Sequence, residues 1–372
     1  MKIYITIDGG TTNTRVNLVK DRQIIDTRKI ARGAKAGIDD KNGLKVALKD
    51  AIRDLLDSNS IQEKEVIRIL ASGMITSEFG LYELPHLTAP AGIKELHDSM
   101  AEVSFPEISP IPFVFVRGIK VNSDNLCDFD MMRGEETELV GINYLQENSG
   151  ILKECCKNSK EDSLKSSEEE KCESSSEKCK NSPPKCEISS EKCENSPPKS
   201  ENSSKICENL GRIFVLPGSH SKIVRTDSDG RVVSFSTMLT GEMLMSLSQN
   251  TILKDAVDIS ISEFDREHLI WGYRFALEEG LNKSLFKVRI LKNAFKATPV
   301  QVYSFFVGAV LSDEIKSILD DDCHEVIIGG NHQIKEATAT LIEALSDKSV
   351  TTLSDSEVAA STTIGAISIF EY

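Results

Sequence analysis

Lys2-Ile3-Tyr4-Ile5-Thr6-Ile7-Asp8-Gly9-Gly10-Thr11-Thr12-Asn13-Thr14-Arg15 decides how the rest of the chain is read. Ile3, Ile5 and Ile7 recur at every second position, the period of a strand with one buried face. Asp8 stands at the strand's end. Gly9 and Gly10 then allow a tight turn whose backbone N–H groups can line up toward an anion. The hydroxyls of Thr11, Thr12 and Thr14 add donors, and Asp8 beside a phosphate can hold Mg²⁺ through water. Arg15 opens the next strand and can face the same anion. A plain hairpin competes with this reading, because Asp-Gly is a hairpin signal by itself. Similar pieces later in the chain favour the phosphate turn. No G-x-x-x-x-G-K-[ST] and no G-x-G-x-x-G occurs anywhere.

Outward from this stretch, residues 1–31 read as a three-stranded meander with a second turn at Asp21-Arg22. Apolar residues from Leu44 to Leu56 fall at helical spacing. Residues 65–71 form a strand that runs into Ser72-Gly73-Met74-Ile75-Thr76-Ser77. Ligands gather at such strand ends in α/β sheets, which makes Met74 and Thr76 candidate substrate contacts. Residues 85–112 carry five prolines and read as loop with one short helix near 93–101, and 113–116 read as a strand. Met131-Met132-Arg133-Gly134-Glu135-Glu136-Thr137-Glu138-Leu139-Val140-Gly141 then opens an acidic helix. The helix dipole alone would favour acids there. It does not explain the preceding Arg133, able to grip a carboxylate in two-point fashion, or Gly134, which permits close approach.

From 147 to 209 the chain contains no aromatic residue and consists mostly of Ser, Glu, Lys, Asn and Cys. EKCKNSPPKCEISS at 177–190 returns as EKCENSPPKSENSS at 191–204. Such a composition cannot bury enough surface to offset chain entropy and reads as a disordered insertion. Cys172, Cys179, Cys186 and Cys193 recur every seven residues, unlike the close pairs of zinc sites. Repeat expansion in a surface loop explains them, with a metal-buffering or redox role as the remaining alternative.

Order returns at 212–216, a strand that ends in Pro217-Gly218-Ser219-His220-Ser221-Lys222 and continues as another strand. This repeats the N-terminal design; Gly218, Ser219 and His220 are candidates for a second phosphate contact, His220 and Lys222 add positive charge, and a plain hairpin is the competing reading. Thr240-Gly241-Glu242 opens a helix. Residues 262–320 read as mainly helical, with Pro299 at a helix start and 300–319 as the longest amphipathic run. Glu325-Val326-Ile327-Ile328-Gly329-Gly330-Asn331 is a buried strand running into a Gly-Gly turn. A strand at 349–352 and a helix from Ser354 to about Ile369 follow, the latter with small residues at 359–366 that permit close packing.

Composition narrows the field. A length of 372 residues suggests two domains, and 40% hydrophobic content suffices for their cores. A net charge of −14 disfavours a nucleic-acid partner. No run of ~18 apolar residues suggests a membrane span, and the first residues read as strand rather than leader. Outside the insertion only Cys127 and Cys323 remain, as expected in a reducing cytoplasm. The sequence sets no oligomeric state.

Three glycine turns after strands, at 8–14, 217–222 and 329–331, with the acidic motif between the first two, together resemble the sugar kinase/Hsp70/actin superfamily. The closer resemblance is to the 2-dehydro-3-deoxygalactonokinase family. It rests on the opening turn, Ala71-Ser72-Gly73-Met74, Met132–Gly141, Leu216–Lys222 and Thr237–Glu242. It implies an α/β fold of two ribonuclease H-like domains around a central ATP and substrate cleft. The domains would be 1–146 and 210–372, separated by the 147–209 insertion, which departs from the family pattern. The implied activity is ATP-dependent phosphorylation of the C6 hydroxyl of 2-dehydro-3-deoxy-D-galactonate in galactonate breakdown.

The implied roles follow. Gly9, Gly10, Thr11, Thr12 and Arg15 meet the phosphates from one side, and Gly218, Ser219 and His220 from the other. Gly329, Gly330 and Asn331 pack on adenosine, and Asp8 orients Mg²⁺. Glu135 takes the proton from the hydroxyl, with Glu136 the second candidate. Arg133, Met74 and Thr76 contact a 2-keto-3-deoxy sugar acid. Two rivals remain open: a superfamily kinase acting on another sugar or polyol, and a non-enzymatic nucleotide-binding module.

Overall fold

The computed structural model describes residues 1–34, 41–148, 210–330 and 333–372. Nearly all of the repeat insertion, and Asn331, lie outside the described residues.

Ile3, Ile5 and Ile7 do form one buried face, on strand β1 (Ile3–Gly9), which pairs antiparallel with β2 (Thr14–Lys20). β2 pairs in turn with β3 (Gln23–Ile30) across a turn in which Asp21 and Arg22 take positive φ. Helix α1 (Lys41–Ser58) leads to β4 (Val66–Gly73), parallel to β1. β5 (Leu87–Thr88) and α2 (Ile93–Asp98) precede the hairpin of β6 (Ala101–Phe105) and β7 (Ser109–Phe115), and β7 runs parallel to β4. The sheet order is β3-β2-β1-β4-β7-β6. β8 (Ile119–Val121) and β9 (Asp130–Met132) join β5 in a small sheet, and α3 (Glu135–Glu147) follows.

The second half repeats this plan. β10 (Leu210–Leu216), β11 (Ser221–Asp227) and β12 (Val232–Met238) form a meander. Five helices follow: α4 (Thr240–Asn250), α5 (Arg266–Glu279), α6 (Leu281–Asn293), α7 (Pro299–Val310) and α8 (Ser312–Leu319). β13 (Glu325–Ile328) lies parallel to β10. After α9 (Gln333–Leu345), β14 (Ser349–Thr352) lies parallel to β13, and α10 (Asp355–Phe370) comes last. The order β12-β11-β10-β13-β14 matches β3-β2-β1-β4-β7 strand for strand. This is the ribonuclease H-like α/β arrangement expected from the sequence.

Two readings of the sequence need correction. The proline-rich stretch is not mainly loop: helix α2 stops at Asp98 and residues 101–115 form the β6–β7 hairpin. Its prolines are compatible with a strand because only Phe113, Val114 and Phe115 pair with β4, beyond Pro110 and Pro112. Pro299 does begin a helix, capped by Thr298 and Gln301, but the run to Leu319 breaks at buried Leu311 into α7 and α8.

Helices are exchanged between the halves. α1 covers one face of the first sheet, with Leu44, Leu48 and Ile52 on Ile3, Ile5 and Ile7. The other face, Tyr4, Val19, Leu70 and Val114, is covered by Ala366 and Ile367 of α10, from the far end of the chain. Conversely, Leu139 and Ile142 of α3 pack on Phe214, Val224 and Ile327 of the second sheet. Burying each such large side chain contributes roughly 1.5–3 kcal/mol. Polar bonds fix the register of α10: Asn17 Nδ2 donates to Thr363 Oγ1 at 2.9 Å, and Thr6 Oγ1 lies 3.1 Å from the same atom. Glu371 accepts from Lys2 Nζ and the Tyr4 hydroxyl, each at 2.9 Å, and pairs with Arg22.

The two exchanged helices cross without side chains between them. A Cβ on Gly141 would lie 1.8 Å from the Ser361 carbonyl oxygen, and one on Gly365 would lie 1.8 Å from that of Thr137. The expected outcome of Gly365→Val is therefore a loss of about 3 kcal/mol in urea unfolding. A loss below about 0.5 kcal/mol would show that the helices part freely.

Candidate active site

Glycines bring three strand ends together. A Cβ on Gly73 (φ +82°) would sit 2.6 Å from the Gly9 carbonyl oxygen, and one on Gly134 (φ +118°) 3.2 Å from Gly73 Cα. The ends of β1, β4 and β9 therefore meet backbone to backbone. On the other side of the cleft, the β10–β11 turn faces them.

Between these elements lies a cavity of about 750 Å³, within the range usual for small-ligand sites. Asp8, Gly9, Gly10, Thr11, Met74, Arg133, Glu135 and His220 all border it. Gly134 borders it as well, whereas Thr12, Arg15, Thr76, Glu136, Gly218, Ser219, Gly329 and Gly330 do not. Thr12 is exposed on the first turn, and Arg15 pairs across the strands with Asp8. Gly218 and Ser219 form the turn beside His220. Gly329 and Gly330 pack behind them, where a Cβ on Gly330 would meet the Pro217 carbonyl oxygen at 2.3 Å.

The two adjacent acids have different surroundings. Glu135 Oε2 accepts the Arg133 backbone N–H at 3.0 Å, and Oε1 lies 3.6 Å from Lys222 Nζ, across the cleft. Its side chain is 27% exposed, on the cavity side. Glu136 is 1% exposed, and both its oxygens accept the Gly134 N–H at 2.8 Å. Burial, and then the Glu135 charge, push its carboxyl up to about 8.

Arg133 is committed elsewhere. Nη1 donates to the Thr76 carbonyl at 2.8 Å and to its hydroxyl at 2.7 Å. Nη2 donates to the Leu84 carbonyl at 3.0 Å and to His86 Nδ1 at 3.2 Å. Burial and the Arg133 charge hold the His86 imidazole down at about 4, so its Nδ1 is a neutral acceptor. Thr76 is fully buried and does not border the cavity. The Arg133 terminal nitrogens thus bind the 76–86 loop rather than face the cavity.

Two further charged residues border the cavity: Lys222, read from sequence only as added positive charge beside His220, and Glu138, which was not placed in the site from sequence. Lys222 is 5% exposed and meets the acid of the opposite half. Glu138 borders the cavity and interacts with Gly330 N–H. Burial, with Glu135 and Asp8 nearby, raises its carboxyl to about 8. Asp8 is raised too, mainly by burial, against the pull of Arg15. The signal for Glu138 was its i+3 spacing from Glu135, which puts both on one helix face. For Lys222 it was its place two residues after His220 in the same turn.

Among the described residues no group of three or more His, Cys, Asp and Glu could hold a metal ion by itself. No helix among them is long and apolar enough to cross a membrane.

The model of the 2-keto-3-deoxy-galactonokinase family matches residues 8–156 and 207–364. The chain belongs to that family. It is a sugar kinase by family, with a small-molecule sugar as the family's substrate class. Among solved structures, a Sinorhizobium meliloti protein assigned as a 2-dehydro-3-deoxygalactonokinase aligns over 99% of this chain and 97% of its own. It shares 18% identity at a TM-score of 0.65, which shows the common fold. The ADPNP-bound activator of 2-hydroxyisocaproyl-CoA dehydratase from Clostridium difficile aligns over 99% and 95%, with 9% identity and a TM-score of 0.44. No curated protein matches the chain.

Glu136 generates a stability test. Its folded carboxyl holds a proton up to about pH 8, whereas an unfolded glutamate releases it near 4.5. The folded state therefore loses stability as pH rises between those values. Glu136→Gln cannot ionise, so its stability relative to the parent should rise from pH 5 to pH 9 by more than about 2 kcal/mol. Parallel unfolding curves across that range would contradict the assignment.

Proposed function

We propose that the protein transfers the γ-phosphoryl group of ATP to the C6 hydroxyl of 2-dehydro-3-deoxy-D-galactonate, in galactonate catabolism. The observation that carries this reading is Glu135, exposed in the cavity beside the Asp8-Gly9-Gly10 turn and faced by Lys222. Phosphoryl transfer needs positioning and charge stabilisation more than covalent chemistry. A partly exposed carboxylate serves as base, and a buried cation offsets charge on the transferring oxygens.

The roles are distributed as follows. Gly10 N–H is engaged inside its own turn by the Asn13 carbonyl at 2.9 Å. Phosphate binding there falls to Thr11 and Thr12, with Gly9 needed for close packing against Ile75. Gly218, Ser219 and His220 meet the phosphates from the other half, and Gly329, Gly330 and Asn331 flank adenosine. Asp8 and Glu138 would, on losing the protons that burial favours, offer the one or two carboxylates that Mg²⁺ takes when it arrives with nucleotide phosphates and keeps its waters. That ion would neutralise triphosphate charge.

Glu135 removes the C6 hydroxyl proton as that oxygen attacks the γ-phosphorus and the bond to the β,γ-bridging oxygen breaks, so that ADP leaves. Lys222 then exchanges Glu135 for the γ-phosphoryl oxygens. Arg133 acts by ordering the 76–86 loop, with Met74 against the sugar acid. The two halves, 1–146 and 210–372, serve as separate lobes that exclude water on closing. Free Cys127 and Cys323 suit a cytoplasmic setting.

Glu135→Gln should lower kcat by at least 10²-fold while Mg·ATP binding stays within about twofold, measured by a coupled ADP assay and calorimetry. Lys222→Met should lower kcat comparably. Full turnover in Glu135→Gln would remove the base role. A panel of 2-keto-3-deoxy sugar acids, neutral sugars and polyols tests the substrate. Turnover of a polyol in preference to any acid would overturn that part.

A further inference from the structure

Glu314, on α8, is a carboxyl group that the reaction above does not use. It is 1% exposed and borders no part of the cavity. Its Oε2 accepts the Thr240 hydroxyl at 2.6 Å, and its Oε1 has no hydrogen-bond partner. Burial raises this carboxyl above its usual range, with Thr240 and Ser221 opposing the shift. A buried acid with one unsatisfied oxygen costs stability, so its position calls for a reason.

The reason lies one step away. Thr240 is the first residue of α4, and Leu239 before it offers no side-chain cap. The next two residues of α4 hold the second glycine turn. A Cβ on Gly241 would fall 2.2 Å from the Gly218 carbonyl oxygen, so these backbones touch. Glu242 N–H donates to the Ser219 carbonyl at 3.1 Å, and His220 Nε2 lies 3.2 Å from Glu242 Oε1. At the far end of the turn, the Ser221 hydroxyl is buried and, like Glu314 Oε1, has no hydrogen-bond partner. Glu314 thus bonds the start of α4, whose next two residues hold the glycine turn.

We propose that Glu314 is a positioning residue: by accepting the Thr240 hydroxyl it fixes the start of α4 and, through Gly241 and Glu242, the backbone of residues 217–222. It acts on the phosphates only through that turn. The identity of the ligand rests on the kinase reading, whereas the mechanical link rests on the contacts alone.

Hydrogen–deuterium exchange and Mg·ATP titration on the full chain test the two parts separately. Thr240→Val and Glu314→Leu should each speed amide exchange in 217–222 and weaken Mg·ATP binding by about tenfold. Glu314→Gln keeps an acceptor for Thr240 and should stay within about twofold of the parent in both readouts. The double variant Thr240→Val/Glu314→Leu should be no worse than either single change, since both remove one bond. If Glu314→Leu fails to fold, Thr240→Val, which loses only a hydroxyl, carries the comparison. Parent-like exchange in Thr240→Val, or a Gln variant as impaired as the Leu variant, overturns the proposal. Altered exchange in a protein whose parent form binds no Mg·ATP leaves the positioning role standing and sinks the nucleotide reading.

Discussion

The contact on which the rest depends is bare backbone against bare backbone where α3 crosses α10. Gly141 and Gly365 leave no room for even one carbon between the helices. Each helix leaves one sheet and is buried on the other, so this crossing is where the halves are joined. It also sets the direction in which α3 presents its first turn. Glu135 and Glu138 reach the cavity because Thr137 and Gly141, on the same helix, are held against α10.

A second set of close approaches, Gly9 to Gly73 to Gly134, does for the cavity what that crossing does for the halves. Each glycine removes a side chain that would otherwise separate two strand ends. Functional groups from β1, the β4 loop and α3 therefore converge, although many residues separate them in sequence. The small sheet adds a further tie at the rim: Thr237 N–H and its hydroxyl both bond Asp130, at 2.7 and 2.9 Å.

Much of this was readable from residues alone, for a physical reason. Strand alternation, glycine turns and capping signals are local, and the meander at 3–30 and its copy at 210–238 depend on little else. The cavity side of the first turn was readable because Asp8-Gly9-Gly10 has few uses at a strand end. Pairings across the fold were not. Arg133 looked free to grip a substrate, since nothing local shows that Thr76, Leu84 and His86 surround its guanidinium. Glu135 and Glu136 are neighbours in sequence and opposites in environment, a distinction set by where α3 lies. Glu314 carried no signal, being one acid in an amphipathic run whose partner lies 74 positions earlier. The end of β7 was readable as a strand at 113–116, but β6 and the start of β7 were hidden because the prolines before it read as loop.

The exchange of helices has a consequence for how the protein comes into being. During synthesis the first sheet leaves the ribosome well before the helix that shelters Tyr4, Val19, Leu70 and Val114. An oily face must therefore wait, uncovered, while more than half of the polypeptide is still being made. That face is closed only once α10 has been made.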